Sequence, residues 1–309
     1  MTDNLLIVAQ QVAILFVLIG AGAAMRRLKL VSDGAIEGLV NLLILVVTPC
    51  LIVDVFQRPF DPSMLKGLGL AFLLGTFGHL LVIALALLSV RHRDENVRRP
   101  LLLAAVFSNA GFMGIPLEQA ILGDEGVFFG VVYVVVFNLF MWSWGIRTMC
   151  GGGSWGSLKM WVNPGTVGIA LGLPLFFCSV KLPPVIGSPI HQLANLNTPV
   201  AMVVIGYCLV GAKLGRVATM APVYVATAIR LAAYPLAMVG LLFLLREKLD
   251  RNMMLAVVIA AAAPVAAMVS MFASKFRRDV DVAVAVVSGS TIVSIVTLPL
   301  VIALAMEIL

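Results

Sequence analysis

Apolar side chains run along this chain in long blocks separated by short polar or basic turns. The blocks fall near residues 5–24, 36–56, 66–90, 101–121, 126–146, 161–180, 192–212, 219–245, 252–273 and 280–307. Each is close to the roughly 20 residues that an α-helix needs to cross about 30 Å of hydrocarbon. The pattern predicts ten transmembrane helices in a single membrane domain, because the turns leave no room for a soluble one. Block four is interrupted by Ser108-Asn109-Ala110-Gly111-Phe112-Met113-Gly114-Ile115-Pro116, and block nine by Ala263-Pro264. Glycine, proline and asparagine at this depth predict broken helices, which a bilayer tolerates only where the backbone is buried in protein or lines a cavity. In secondary transporters such breaks mark the substrate site.

Composition excludes a soluble globule. Hydrophobic residues make up 61% of the 309 positions and charged residues 12%, against roughly 25% charged in ordinary soluble domains. Mean hydropathy is +1.09. The start Met1-Thr2-Asp3-Asn4 lacks a basic n-region, so the first block is expected to stay as a helix. Cys50, Cys150, Cys178 and Cys208 are scattered without metal-ligand spacing, and neither a metal site, a disulfide nor a cofactor is expected.

The net charge of +6 has a topological reading that needs no nucleic-acid partner. Lysine and arginine cluster at 26–29, 91–99, 147–159, 213–216 and 275–278, after the odd-numbered blocks. By the positive-inside rule these turns face the cytoplasm, which places both termini on the other side.

A shift of about 150 residues sets Thr48-Pro49 beside Thr198-Pro199, the break at Gly114 beside Pro264, and Asn138 beside Ser288. This predicts a duplication: repeat one over 1–148, a cytoplasmic linker over 149–160 carrying Gly151-Gly152-Gly153, and repeat two over 161–309. Each half has an odd number of spans, so the second enters the membrane from the opposite side. The expected fold is an all-α polytopic membrane protein of ten helices, arranged as two five-helix inverted repeats with broken crossover helices in blocks four and nine. Half-helix N-termini meeting at the bilayer centre offer free N–H groups to an anion such as a carboxylate.

Several quoted stretches resemble the auxin efflux carrier family, whose members include bacterial malonate and other organic-acid carriers and the plant auxin transporters. These are Gly20 to Val31, Asn41 to Phe56, Ser108 to Pro116, Gly123-Asp124-Glu125-Gly126, Val136-Phe137-Asn138, Asn163-Pro164, Ala263-Pro264 and Ser288 to Leu300. The resemblance implies a fold like that of sodium/proton antiporters and bile-acid transporters. It also implies a scaffold part, a transport part, a homodimer and elevator-type movement of a small organic anion across a bacterial inner membrane. After Pro264, where many relatives are polar, this chain reads Val265-Ala266-Ala267-Met268-Val269-Ser270.

The candidate substrate-binding residues are Asn109, Gly111, Gly114, Pro116, Asn138, Pro264, Met268, Ser270 and Ser288. Asn109 has a competing role as a helix cap. Thr48-Pro49 and Thr198-Pro199 are expected to kink or gate their helices, since proline removes one backbone hydrogen bond. Glu118 is the candidate for a proton-linked carboxylate and Arg230 for substrate or gate coupling, with coupling to protons or sodium left open. An unpaired arginine within a helix costs about 2.5–3.5 kcal/mol on insertion scales, although its long side chain can also reach helix-end carbonyls. Glu118 has a plainer reading as a residue of the outer vestibule, and His79 reads as a buried, hydrogen-bonded histidine. Asp54 is expected to face water or pair with Arg58, and Asp279 and Asp281 to open a solvated helix. No nucleotide-binding loop is present, and no Ser/His or carboxylate cluster supports an enzyme. The competing class is a receptor or sensor that holds a small carboxylate without moving it.

Overall fold

The computed structural model describes residues 2–58, 60, 62–151, 164–210 and 216–309. Most of the linker predicted over 149–160, Asn163, Lys159 and Lys213 lie outside them. Apart from a one-residue antiparallel bridge, the regular structure among the described residues is helical.

The helices are α1 (Thr2–Arg27), α2 (Asp33–Val55), α3 (Pro62–Ser89) and α4 (Glu95–Val106). After α4 comes a helical run over Ala110–Cys150, divided at Gly123, where φ is +68°. In one continuous helix residues 118 and 130 would stand about 18 Å apart. Instead the Glu118 carboxylate lies against Gly130, so tightly that a Cβ there would overlap it. The run therefore folds back at Gly123 into α5 (110–122) and α6 (124–150). Only glycine adopts this φ at low cost. The remaining helices are α7 (Pro164–Phe177), α8 (Pro184–Val210), α9 (Ala221–Lys248), α10 (Arg251–Ala262), α11 (Met268–Lys275) and α12 (Val280–Ile308). Seven helical runs among the described residues are long and apolar enough to cross a membrane; α7 and α10 are shorter apolar helices.

Proline follows three of the four π turns among the described residues, Met141–Gly145 being the exception. Each of the π turns Leu43–Val47, Ala110–Gly114 and Ile229–Ala233 ends immediately before a dipeptide with proline second: Thr48-Pro49, Ile115-Pro116 and Tyr234-Pro235. Proline lacks an N–H, and its ring collides with the carbonyl four residues back. The helix widens locally to accommodate it. Thr48 completes the first case, its hydroxyl donating to the Leu43 carbonyl at 2.8 Å. Thr198-Pro199 lies within α8 just after a turn at Asn195 and Leu196 that interrupts the helix, in the first turn of the segment Asn197–Val210, where a missing N–H costs nothing.

Glycines set two close helix pairs, as expected where lipid supplies no hydrophobic drive and packing must do so. Gly22 of α1 meets the Val203 backbone of α8, and Gly206 of α8 meets the Ile19 backbone of α1. Gly168 and Gly172 of α7 pack on Pro49, Ile52 and Val53 of α2 and on Phe56 directly after it. Around the segments that follow α4 and α10 lies a second group. Val97 to Phe107 and Met253 to Ala263 are almost wholly buried there.

Candidate functional site

The two breaks meet. Between α4 and α5 the chain is extended at Phe107 and Ser108, and between α10 and α11 at Ala263 to Ala266, and the two segments pair antiparallel through Ser108 and Val265. The Asn109 N–H donates to the Pro264 carbonyl at 2.6 Å, and the Ala266 N–H donates to the Phe107 carbonyl at 2.9 Å. Val265 N–H donates to the Ser290 hydroxyl of α12 at 3.1 Å. Backbone groups that would be orphaned by two broken helices thus satisfy one another. The break in block four falls at Phe107 to Asn109, not at Gly114. Its partner is Val265, a few residues beyond the 150-residue shift read from the sequence.

Beside this crossing is a cavity of about 70 Å³. It is lined by Ser108, Asn109, Gly111 and Phe112 from the first break, Ala266, Ala267 and Met268 from the second, Asn138 and Trp142 from α6, and Thr48 from α2. The opening turns of both α5 and α11 therefore face it. Asn109 is 5% exposed, and its side chain does not cap α5. The Ser108 hydroxyl is buried without a partner. The Asn138 amide donates to the Val134 carbonyl at 2.8 Å, leaving its own oxygen turned to other uses. Asn197, buried in α8, donates its amide to the Gly111 carbonyl at 3.2 Å. Asn197 and Trp142 were missed in the sequence; asparagine directly before the Thr198-Pro199 pair was the available signal for the first.

The other expected site residues are divided among separate places. Ser270 and Ser288 line a second cavity of about 290 Å³, which shares Phe112 and Ala267 with the first and reaches Arg26. Asn138 and Ser288 are therefore not equivalents at one wall. Pro116 and Thr198 line a third, polar cavity of about 860 Å³ with Asp54, Arg58, Gln119, Asp124 and His191. Gly114 packs near Ala260. Pro264 contributes its carbonyl to Asn109, and Pro49 packs on Gly168. Pro199 touches none of these cavities as described.

Two polar expectations need correction. Glu118 is not a vestibule residue. It is fully buried with both carboxyl oxygens unpartnered, held between Gly114 and Gly130. Asp54 pairs with His191 at 2.9 Å rather than with Arg58. Arg58 donates to the carbonyls of Val55 and Asp124 and stacks over Phe128, and burial lowers its pKa. His79 is buried as expected, with Nδ1 against the Gly75 carbonyl at 2.8 Å. Asp279 caps α12 through the Val282 N–H.

Arg230 is fully buried in α9. Its guanidinium donates to the Val106 carbonyl at 2.7 Å and to the Ala261 carbonyl, and lies 4.7 Å from the Tyr234 ring centroid. Those carbonyls end α4 and α10.

Two broken helices thus meet beside a cavity. The family model described as membrane transport protein matches residues 7–155 and again residues 154–302. The chain belongs to this family. It is the auxin efflux carrier family that the motifs resemble, and its double match means that the transporter carries two repeats. The transporter is thereby a multi-pass membrane protein. A search of curated proteins finds no match to it.

Proposed function

We propose that this transporter carries small organic anions, monocarboxylates or dicarboxylates, across the cytoplasmic membrane of a bacterium. The observation that carries the reading is the cavity at the crossing, where the opening turns of α5 and α11 converge beside Asn109, Asn138 and the unpartnered Ser108 hydroxyl. Helix N-termini carry about half a positive charge and unused N–H groups. They attract a carboxylate without placing a full cation in lipid. Phe112, Val134, Phe137, Trp142 and Met268 supply an apolar wall for the rest of the ligand.

The two family matches and the antiparallel crossing support inverted repeats of five helices each, with both termini outside the cytoplasm. The glycine-packed group α1, α2, α7 and α8 is suited to be the scaffold of a homodimer. The group around the crossing would be the part that moves, elevator-fashion, with the anion. Substrate contact is assigned to Asn109, Gly111, Asn138 and Met268, and Ser270 and Ser288 face a second position of the path.

The test is flux of labelled malonate, malate and indole-3-acetate into proteoliposomes, with wild type and Asn109→Ala compared. Saturable flux that falls in the variant is expected. Normal kinetics in Asn109→Ala would remove the crossing from the site. If the wild type binds one of these anions but never moves it, the protein is a sensor.

A further inference from the structure

Four half-helix ends meet at the crossing, and they are of two kinds. The N-terminal ends of α5 and α11 face the cavity. The C-terminal ends of α4 and α10 face away from it, toward α9. A helix C-terminus carries about half a negative charge. In carriers built from broken helices such ends, with nearby unwound carbonyls, are where a coupling sodium ion or proton is held.

We infer that Arg230 is a resident cation occupying that position, so that no free sodium ion accompanies the anion. The inference rests on the anion-carrier reading and adds the coupling to it. One arm of the guanidinium donates to Val106 of α4 and the other to Ala261 of α10. The fork therefore serves one carbonyl end from each repeat. Its single positive charge matches the two partial negative charges of about one half each. No carboxylate among the described residues pairs with it, and Tyr234 covers its face. Arg230 does not line the cavity, so it is not a ligand of the anion.

An alkali ion at this place would have to displace two hydrogen bonds and share a buried space with a like charge, which the interior opposes strongly. A sodium site is thus closed by a covalently attached substitute. Removing the side chain leaves two unpaired carbonyl ends and opens a vacancy for a free cation. Arg230 acts as a positioning residue that keeps the two breaks together.

The experiment uses the full chain in two readouts. Thermal unfolding in detergent is followed for wild type, Arg230→Lys and Arg230→Ala while sodium, potassium, choline or guanidinium chloride is varied at constant ionic strength. Wild type is expected to respond equally to all four salts. Arg230→Ala is expected to melt lower and to be raised selectively by guanidinium at low concentration, with Arg230→Lys intermediate. In proteoliposomes, flux of whichever labelled carboxylate wild type transports should be unchanged on replacing sodium with choline. It should fall by at least about tenfold in Arg230→Ala, as for loss of a charged hydrogen-bond donor, with partial recovery in guanidinium. Sodium-dependent wild-type flux would overturn the inference, as would a folded Arg230→Ala that no cation stabilises. If Arg230→Ala does not fold, the wild-type sodium replacement and Arg230→Lys decide it. Failure of all three anions, with the guanidinium rescue intact, would count against the anion reading and leave the role of Arg230 standing.

Discussion

Asn109 and Pro264, far apart in the chain and in different repeats, are joined by a 2.6 Å hydrogen bond from amide to carbonyl. Together with its counterpart from Ala266 to Phe107, this bond pairs backbone groups of the two breaks with one another. The two prolines nearby have different tasks. Pro264 supplies an acceptor at the crossing, whereas Pro116 follows the π turn Ala110–Gly114 and shapes the wall that carries Gly111 and Phe112. Pro116→Ala is expected to let that turn tighten and swing these residues out of the cavity. Apparent affinity should fall with little change in melting temperature; unchanged KM would detach the π turn from function.

Asn197 of α8 holds the opening turn of α5 through the Gly111 carbonyl. A neutral hydrogen bond contributes about 0.5–1.5 kcal/mol, so Asn197→Ala should weaken anion affinity roughly two- to tenfold. Maximal flux should stay close to wild type. An effect on melting temperature alone would show that the bond is only structural.

Gly130 is the space that the Glu118 side chain occupies. Gly130→Ala would force a buried carboxyl to move with nowhere to go, and overpacking of this kind costs about 1–3 kcal/mol. The loss should largely disappear in a Glu118→Ala background, because the collision is then gone. Additive losses in the double-mutant cycle would show that the two residues do not share the space.

The contact of α1 with α8 depends on backbone approach at Gly22 and Gly206. Gly206→Val should separate the helices and lower the melting temperature by several degrees, whereas Gly20→Val, with open space at that position, should leave it almost unchanged. Equal effects at the two positions would mean that helix propensity, not packing, is being measured.

Glu95 lies at the start of α4, outside the apolar spans. Hydrogen bonds from Arg99 and then Arg98, each 3.0 Å long, hold its carboxyl below the ordinary 4.5. A depressed folded-state value stabilises above the unfolded value, and that stability is lost as pH falls through the folded one. Glu95→Gln is therefore expected to be less stable than wild type at pH 7, by under about 1 kcal/mol for so exposed a pair. The two should converge when the pH is taken below the folded value. A difference that grows on acidification would reverse the sign of the argument.

Much of this protein could be read from the order of its residues. Apolar blocks of membrane-spanning length have one stable answer in a medium without water, and the breaks near Asn109 and Pro264 were announced by the glycines and prolines around them, which act on the backbone they belong to. Thr48-Pro49 likewise declared its distorted helix locally. The tertiary structure alone decided the rest. Whether Arg230 met substrate, water or carbonyl ends depended on α4 and α10 arriving beside α9. Whether Glu118 faced a vestibule depended on the fold-back at Gly123, which set it against Gly130. Asp54 took His191 rather than Arg58, and Ser288 entered a different cavity from Asn138. Each of these is a partnership between distant segments, and the cost of burying a polar group is settled by what the other segment brings, not by the residue's own neighbours in sequence.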